Sequence, residues 1–370
     1  MTGTVHIIGA GLAGLSAAVH AKNMGLKVKL YEATPIAGGR IRRVEHHDNG
    51  THLIIEGYRD SFEYLDLINA RDHLTPYESA NFQFHEPETG LSWSLPARHL
   101  FAQIAKKVIP EISLFNIFGK VAQKRLWDPF FLAVFNTPVS QTSPKLIAQT
   151  AVELIKQGPD ALRPYFPITT LEETFFTPVK DQLDIEFGQR LRGLNKKELI
   201  FRSKTVSLKK NDQVILALPA QAYKNIVSDI KTPEFTNSSI VNIHYELSSS
   251  HKEQFIGLIG TQAHWLYVKD NHACVTISHE IDHIDEETVW QEISPFLPDE
   301  TQPKAKTICE KHATPLQNKI FSKNRAQQRT VYKNVFLAGD WVETGLPCTI
   351  ESAIRSGKKA AHLAHKNSLS

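Results

Sequence analysis

The feature that most constrains the fold is a glycine-rich stretch close to the N-terminus. Gly9–Gly14 reads Gly-Ala-Gly-Leu-Ala-Gly, directly after the apolar run Val5–Ile8 and before a segment of helical periodicity that ends near Met24. A second strand-like run, Lys27–Glu32, follows the helix stop at Gly25. Strand, glycine turn, helix and strand in this order predict a βαβ beginning. We therefore expect an α/β, Rossmann-like nucleotide-binding unit at the start of the chain.

The three glycines of this stretch and the acid after it have separate physical roles. Gly9 permits a tight turn, Gly11 lets the backbone approach a pyrophosphate, and Gly14 lets the helix pack closely on the strand. The N-terminus of the helix would then face the phosphates. Glu32 would accept hydrogen bonds from ribose hydroxyls and would repel a 2′-phosphate, which disfavours NADP. NAD and FAD share this fingerprint, so both stay open at this point.

Length and charge restrict the class of protein. The chain has 370 residues, more than one typical domain, which predicts two domains or one domain with a large insertion. Its 42 basic and 39 acidic residues give a formal charge of +3, which is too balanced for nonspecific nucleic-acid binding. We therefore expect no nucleic-acid partner.

Cysteine spacing and apolar runs indicate the compartment. The three cysteines are widely separated and form no C-x-x-C pair, so neither a disulfide framework nor a metal site is expected. The first strand-like run begins at Val5, which leaves no room for a signal peptide. The longest apolar stretch, Phe130–Phe135, is far too short to span a bilayer. The sequence predicts a cytoplasmic protein whose membrane contact, if any, is peripheral, on the inner face of the membrane.

The alternation of strand and helix patterns predicts a discontinuous nucleotide-binding domain. Strand-like runs return at Gln213–Leu218 and Asn334–Ala338, and a helix at Ile350–His365 follows the second run. The intervening stretches would form a second, mixed α+β domain for the substrate. The predicted segments are 1–75, 195–230 and 325–370 for the first domain, and 76–194 and 231–324 for the second.

Two further short motifs separate FAD from NAD. Gly38-Gly39-Arg40 and Gly339-Asp340, taken with Gly9–Gly14 and Glu32, resemble the FAD-binding pattern of the amine oxidase and phytoene desaturase superfamily. The resemblance implies an amine-oxidase-like fold with FAD as its cofactor. It also implies that Arg40 neutralises phosphate and that Asp340 accepts hydrogen bonds from ribityl hydroxyls. The residues predicted to bind FAD are Gly9, Gly11, Gly14, Glu32, Gly39, Arg40, Val206, Gly339, Asp340, Thr349 and Ile350.

Three longer stretches narrow the resemblance to one family within this superfamily. Asp48–Leu53, followed by Tyr58, is similar to that family's D-N-G-Q-H-L stretch. Leu126–Pro129 and Asn136–Pro138 are similar to its L-W-x-P and N-T-P segment, and Gly339–Gly357 resembles its C-terminal signature. The family that these stretches resemble is that of the bacterial hydroxysqualene dehydroxylases.

The chain departs from the family pattern at a few positions. Thr51 replaces the usual Gln, and Cys348 and Ser352 stand where Ala or Gly is usual. A cysteine near a flavin raises the question of a covalent link. The residues around Cys348 do not match the pattern of covalent amine oxidases, so we expect a packed thiol.

The resemblance implies that reduced FAD removes the hydroxyl of hydroxysqualene to give squalene. Hydroxide is a poor leaving group, so the reaction calls for a general acid, preferably one whose pKa is raised in an apolar pocket. Asp128, between Trp127 and Pro129, is the first candidate, and His52 is the second. An aspartate before a proline is also common at the start of a helix, so a structural role for Asp128 stays open. The substrate partner would be a lipophilic isoprenoid, and the sequence does not identify the electron donor that reduces FAD.

Two alternative functions share the flavin motifs or the fold. A flavin amine oxidase or a carotenoid-type desaturase would run the redox chemistry in the opposite direction. A noncatalytic isoprenoid carrier would keep the fold without the flavin. Glu32, Arg40 and Asp340 argue against the carrier, because a carrier has no need of a complete cofactor site.

Segment 99–126 suggests how the protein could reach a substrate dissolved in a membrane. It mixes large apolar residues with five lysines and arginines, a composition that suits docking to an anionic lipid surface. Ordinary substrate-domain helices with a solvated basic face explain the same composition, so both readings stay open.

Overall fold

The structure is a computed structural model that describes residues 3–78, 80–108, 119–227, 229–230, 232, 234–279, 284–298 and 301–369, without the side chains of 106–108 and 224–225. The strands are β1 (Thr4–Ile8), β2 (Lys27–Tyr31), β3 (Arg43–Val44), β4 (His47–Asp48), β5 (Ile54–Ile55), β6 (Leu74–Pro76), β7 (Asn81–Glu86), β8 (Leu91–Pro96), β9 (Pro164–Pro167), β10 (Ile185–Glu186), β11 (Leu191–Leu194), β12 (Glu198–Phe201), β13 (Thr205–Ser207), β14 (Gln213–Leu216), β15 (Asn237–Leu258), β16 (Trp265–His279), β17 (Ala305–Pro315) and β18 (Val335–Leu337).

The helices alternate with these strands along the chain. They are α1 (Leu12–Asn23), α2 (Arg59–Leu67), α3 (Ala97–Val108), α4 (Lys120–Ala122), α5 (Asp128–Phe135), α6 (Pro144–Gln157), α7 (Leu171–Phe175), α8 (Glu286–Ile293), α9 (Lys319–Asn324) and α10 (Ile350–Ser368). A π-helical turn, Gln123–Trp127, joins α4 to α5. No helix within the described ranges is both long and apolar enough to cross a membrane.

A parallel sheet in the order β10-β2-β1-β14-β18 forms the centre of the nucleotide-binding part. Its strands β14 and β18 are buried on both faces, as expected for a parallel sheet covered on both sides. Alternate residues enter different cores: Ile7 packs with α1 and α10 on one face, whereas Ile8 packs with β11–β13 on the other. β14 and β18 repeat this alternation. The sheet is therefore a buried platform that fixes the loops at its carboxyl edge.

Close contact between α1 and α10 depends on Gly357 of α10. A β-carbon there would lie 2.2 Å from the carbonyl oxygen of Ala13, so the position has no room for a side chain. Gly14 has a separate role, since a β-carbon there would lie 1.9 Å from the carbonyl oxygen of Gly9 and would push α1 away from the glycine loop. The two helices consequently pack backbone to backbone beneath the glycine loop.

The second part of the fold contains a mixed sheet with helices packed on it, in which β15 and β7 pair in parallel and the other neighbours pair antiparallel. Its strand order is β16-β15-β7-β8, and β17 pairs with β15. One of its faces packs on α8, and the end near β7 packs on α5 through aromatic side chains. Together with the parallel sheet, this arrangement is the predicted α/β fold with a second, mixed α+β part.

The predicted domain boundaries do not follow the sheets everywhere. Ile185–Glu186, predicted to lie in the second domain, pairs with Leu30–Tyr31 at the edge of the parallel sheet. Leu171 and Phe175 of α7 belong to the core beneath the same sheet. These elements escaped the sequence pattern because a strand of two residues and a helix of five residues are too short to show periodicity.

Candidate active site

The glycine loop has the geometry that the sequence predicts. Gly9 has a φ of +100°, and a β-carbon there would lie 2.4 Å from the carbonyl oxygen of Ala217. Among the described residues, a β-carbon on Gly11 would meet only the Cα of Gly39, at 3.9 Å, so the loop leaves space in front of its backbone. Gly11 also provides no side-chain cap for α1, whose first N–H groups remain available. A helix N-terminus in this state suits an anion.

Glu32 fixes the loop from the end of β2. Its Oε2 accepts a hydrogen bond from the backbone N–H of Ala10 at 2.8 Å, and its Oε1 accepts from the N–H of Thr34 at 2.9 Å. Glu32 also lines the cavity described below. The carboxylate therefore stabilises the glycine loop, in addition to its predicted contact with a ribose.

An ion pair joins the two motifs that distinguish FAD from NAD. Nη2 of Arg40 donates to Oδ1 of Asp340 at 2.8 Å, and Nη1 donates to the carbonyl oxygen of Ala313 at 2.6 Å. The Asp340 side chain is 7% exposed, whereas that of Arg40 is 52% exposed. The negative charge of Asp340 raises the pKa of Arg40 above its ordinary value. Arg40 therefore keeps a positive charge and offers its accessible half to the cavity.

The C-terminal signature forms a turn between β18 and α10. Gly339 has a φ of +151°, and its N–H donates to Oγ of Ser356 at 2.8 Å. Thr349 caps α10, since its Oγ1 accepts from the N–H of Ser352. Cys348 is buried among apolar side chains, and burial raises the pKa of its thiol well above the ordinary range. The prediction of a packed, unreactive thiol agrees with this placement.

A cavity of about 2050 Å³ runs between the two parts of the fold. Its volume exceeds the roughly 300–1,000 Å³ of a typical small-molecule pocket, so it can hold a dinucleotide and a second ligand together. The predicted FAD-binding residues on its wall are Gly9, Gly11, Glu32, Gly39, Arg40, Gly339, Asp340, Thr349 and Ile350. The large apolar residues on its wall include Leu53, Ile55, Phe82, Phe130, Phe255 and Trp265.

Two of the predicted FAD-binding residues are not part of the cavity wall. Gly14 lies beneath the loop, where it has the packing role described above. Val206 lies on β13, the outer strand of the sheet β11-β12-β13, and packs against the apolar core there. β11 of the same sheet contributes Leu191 and Arg192 to the cavity wall. The role of Val206 in FAD binding stays a prediction.

The two predicted proton donors lie in different places. His52 lines the cavity; its Nδ1 is 2.7 Å from the carbonyl oxygen of Gly50, and burial lowers its pKa. Asp128 begins α5 outside the cavity wall, and burial raises its pKa. It lies two positions, about 200° of helical rotation, from Phe130, which faces the cavity. The sequence showed the apolar surroundings of Asp128 but not which helix face meets the ligand.

Sequence reasoning missed several polar residues on the cavity wall. Asn242 of β15 accepts a hydrogen bond at Oδ1 from Oγ1 of Thr276, at 2.9 Å, and both residues line the cavity. Asn136 also lines it, although the sequence indicated this residue only as part of a family-like segment. Amides spaced far apart in the chain give no local signal. Within the described ranges, no cluster of three or more His, Cys, Asp or Glu residues has an arrangement that could hold a metal ion.

The residues present fit FAD. The open backbone at Gly11 and the uncapped start of α1 suit a pyrophosphate. Arg40 supplies a half-exposed cation on the same wall, and Glu32 and Asp340 supply carboxylates for hydroxyl groups. The donor set matches a dinucleotide with a polyol chain better than it matches a metal or a simple anion.

Two family models match the ends of the chain. The model described as an NAD(P)-binding Rossmann-like domain matches residues 7–66, and the model described as a flavin containing amine oxidoreductase matches residues 321–365. The first range includes the glycine loop, Glu32 and Arg40. The second includes Asp340 and Thr349. The matched ranges are thus the two segments that the ion pair brings together.

Curated relatives match almost the whole chain. The hydroxysqualene dehydroxylase of Zymomonas mobilis is 32% identical over 411 residues, which cover 98% of this chain and 99% of the relative. Those of Sinorhizobium fredii and Rhodopseudomonas palustris are 32% and 30% identical, each over 98% of this chain and over 99% and 98% of the relatives. The chain belongs to the hydroxysqualene dehydroxylase family. The resemblance stated from the sequence is thereby confirmed.

Solved structures confirm the fold of this family member. Reduced UDP-galactopyranose mutase is 15% identical with a TM-score of 0.69, over 100% of this chain and 96% of that one. Putrescine oxidase with bound putrescine is 13% identical with a TM-score of 0.66, over 98% of each chain. Both likenesses concern the fold alone. They agree with the predicted amine-oxidase-like architecture.

Membership in the hydroxysqualene dehydroxylase family decides between the alternatives raised by the sequence. The chain is a flavin oxidoreductase, and its cofactor is FAD, as predicted. Similarity to a zeta-carotene desaturase of Zea mays, at 37% identity, extends over 75 residues, or 19% of this chain. A desaturase is therefore not the better-supported function, and neither is an amine oxidase or a noncatalytic carrier.

Proposed function

We propose that this protein uses FAD to remove the hydroxyl of hydroxysqualene and release squalene. The observation that carries the proposal is the 32% identity, over 98% of the chain, to a relative named hydroxysqualene dehydroxylase. The reaction replaces one C–O bond by a C–H bond. It consumes a hydride and a proton, and it releases water. When bound and reduced, FAD supplies the hydride.

The chain's own residues hold this cofactor along the wall of the nucleotide-binding part. The backbone of the glycine loop and the start of α1 would bind the pyrophosphate, with Arg40 offsetting its charge. Glu32 would accept hydrogen bonds from the ribose, and Asp340 would accept them from the ribityl chain. Both carboxylates are already fixed by other contacts, so little side-chain ordering is required on binding.

The rest of the cavity suits a long hydrocarbon. Its wall includes Phe82 and Phe130, whose rings meet edge to face at 4.9 Å, and Phe255 and Trp265, whose rings stack at 4.6 Å. Such a wall excludes water from the reacting carbon. Aromatic faces also stabilise positive charge that develops as the hydroxyl leaves.

His52 is the proton donor that fits the cavity. It lies on the wall, whereas Asp128 lies outside it. The imidazole Nδ1 is engaged by the carbonyl oxygen of Gly50, so its Nε2 is the nitrogen left to carry a proton toward a ligand. Burial lowers the pKa of His52, so this role is strongest under mildly acidic conditions.

The protein would take its substrate from a membrane surface by peripheral contact. Lys120 and Val121 are exposed, and the side chain of Val121 is a large apolar group at 63% exposure. Lys124 and Arg125 bind Glu86 instead, so they are less available to lipid headgroups. Residues 109–118 of the predicted docking segment lie outside the described residues. Flotation with anionic vesicles at low salt tests this contact, and Lys120→Glu/Val121→Asp protein should remain with the unbound fraction.

An anaerobic single-turnover experiment tests the proposed reaction. Enzyme whose FAD has been reduced by light is mixed with hydroxysqualene, and flavin absorbance and lipid product are followed together. Flavin oxidation with formation of one squalene per flavin is expected. Squalene, which lacks the hydroxyl leaving group, is the matched control and should leave the flavin reduced. Reduced flavin that persists with hydroxysqualene would contradict the proposal.

A further inference from the structure

Asn136 has a side-chain oxygen for which the fold provides no partner. The residue follows α5, is 4% exposed and lines the cavity. Its Nδ2 donates to Oγ1 of Thr314 at 3.1 Å, which orients the amide. Its Oδ1 is buried and has no hydrogen-bond partner in the part of the chain that the structure describes. A buried acceptor in this state requires an explanation, and a donor on a ligand provides one.

The backbone holds this amide rigidly. Asn136 has a φ of 46°, the left-handed conformation that asparagine adopts at helix ends, and its N–H donates to the carbonyl oxygen of Leu132 at 3.0 Å. The carbonyl oxygen of Phe135 accepts from Nε2 of Gln317 at 2.7 Å. Oε1 of Gln317 in turn accepts from the N–H of Cys348 at 2.9 Å. The end of α5 is thus tied to the C-terminal signature.

Asn136 lies where the part of the cavity wall predicted to hold FAD meets the apolar part of the wall. Thr314, its partner, follows Ala313, whose carbonyl oxygen accepts from Arg40. The amide therefore lies beside the part of the wall that holds the cofactor. Along α5 in the other direction, the wall is apolar as far as Phe130, six residues and about 9 Å away. A hydrocarbon lying along α5 would meet apolar side chains and then one amide at the cofactor end.

We propose that Oδ1 of Asn136 accepts the hydrogen bond of the substrate's hydroxyl group and makes the site specific for the alcohol. The inference rests on the proposed function. In a C30 alcohol, the hydroxyl is the polar group that can donate to this oxygen. The hydrocarbon product has no such donor, so its formation leaves Oδ1 unpaired again. Asn136 therefore weakens the binding of product relative to substrate.

Equilibrium binding to the oxidised holoenzyme tests this discrimination. Wild-type protein should bind hydroxysqualene about 5- to 100-fold more tightly than squalene. Asn136→Gly removes the amide while keeping a residue that tolerates the positive φ. It should lower the affinity for hydroxysqualene by most of that factor and change the affinity for squalene by less than about twofold. Asn69→Gly, at an exposed asparagine with a φ of 54°, is the matched backbone control.

The outcomes separate the explanations. Equal losses for both lipids in Asn136→Gly would mean that the residue only shapes the wall, and the proposal would fall. A weaker affinity for FAD with an unchanged lipid preference would assign the oxygen to the cofactor and would also overturn it. Thr314→Val provides a second variant, which should reduce the preference by freeing the amide to rotate. Wild-type protein that shows an Asn136-dependent preference but converts no hydroxysqualene would support this inference and refute the proposed function.

Discussion

Arg40 and Asp340 lie 300 residues apart in sequence, and Nη2 of Arg40 donates to Oδ1 of Asp340 at 2.8 Å. Each belongs to a different short motif, one after β2 and the other after β18. The contact exists because β2 and β18 lie in the same parallel sheet, with their carboxyl ends at one edge. The pair places a fixed carboxylate and a half-exposed cation on the wall of one cavity.

Removing the cation of this pair should weaken cofactor binding. Arg40→Ala is expected to lower FAD affinity about 10- to 100-fold, because a charge-assisted contact to phosphate is lost and Asp340 is left buried without its partner. Fluorescence titration of the apoprotein with FAD measures the effect. Arg98→Ala, at an exposed arginine that pairs with Asp160, is the control and should bind FAD like the wild type. Equal affinities for Arg40→Ala and Arg98→Ala would exclude a phosphate contact.

Glu32 should contribute to FAD binding in two separable ways. Glu32→Ala removes both the ribose acceptor and the anchor of the Ala10 N–H, so a loss of about 10- to 100-fold in FAD affinity is expected. Glu32→Gln keeps an acceptor for Ala10 and should lose less. Titration with FAD compares the three proteins. If Glu32→Gln were as impaired as Glu32→Ala, the anchoring role would be wrong.

The contact between α1 and α10 should be intolerant of a methyl group. Gly357→Ala places a carbon 2.2 Å from the carbonyl oxygen of Ala13, so the helices must separate. We expect a loss of about 1–3 kcal/mol in the free energy of unfolding. Gly119→Ala, where a β-carbon meets no atom of the described residues within 4 Å, should be nearly neutral. Thermal unfolding of both variants provides the measurement, and similar melting temperatures would contradict the packing argument.

Asp48 should make the stability of the fold depend on pH. Burial raises its pKa to about 7, although its Oδ1 accepts from the N–H of Leu171. Because the folded protein holds this proton more tightly than the unfolded chain, stability falls as pH rises from about 4 to about 7. Asp48→Asn keeps the acceptor and cannot ionise. It should match the wild type near pH 4 and be more stable by about 2–4 kcal/mol above pH 7, as measured by denaturant unfolding. A difference that stays constant with pH would refute the assignment.

The two candidate acids should behave differently in reduced enzyme. If His52 donates the proton, flavin oxidation by hydroxysqualene should accelerate as the pH falls from neutral into the acidic range, because burial lowers the pKa of His52 and its protonation becomes limiting. His52→Gln should remove this pH dependence and slow the step about 10²- to 10⁴-fold. Stopped-flow absorbance provides the rates. Asp128→Asn is the comparison variant and should leave the rate within about threefold; a large loss there would assign the proton to Asp128.

Local motifs could be predicted well, because their physical causes are local. The glycine loop and Glu32 have a fixed spacing, and their predicted roles correspond to the φ of Gly9 and the open backbone at Gly11. The buried run after Asn334 predicted β18 and the position of Asp340 for the same reason. The family resemblance and the prediction of FAD as the cofactor followed from these short motifs.

Features that depend on orientation could not be predicted in the same way. The apolar run beside Asp128 indicated a buried acid, but only the rotation of α5 shows that Phe130, and not Asp128, meets the cavity. The sequence predicts that Val206 binds FAD, but it does not show that β13 lies in a separate sheet. The orientation of the Asn136 amide depends on a hydrogen bond to Thr314, a residue 178 positions away. Each of these facts is a property of tertiary packing.

The strand order of the parallel sheet has a consequence for synthesis of the chain. β1 and β2 are synthesised long before the edge strand β18, Asp340 and α10, since Arg40 and Asp340 are 300 residues apart. A nascent chain without β18 and α10 lacks the carboxylate that pairs with Arg40 and the helix that packs on α1. Completion of the flavin site therefore requires synthesis of the chain through α10.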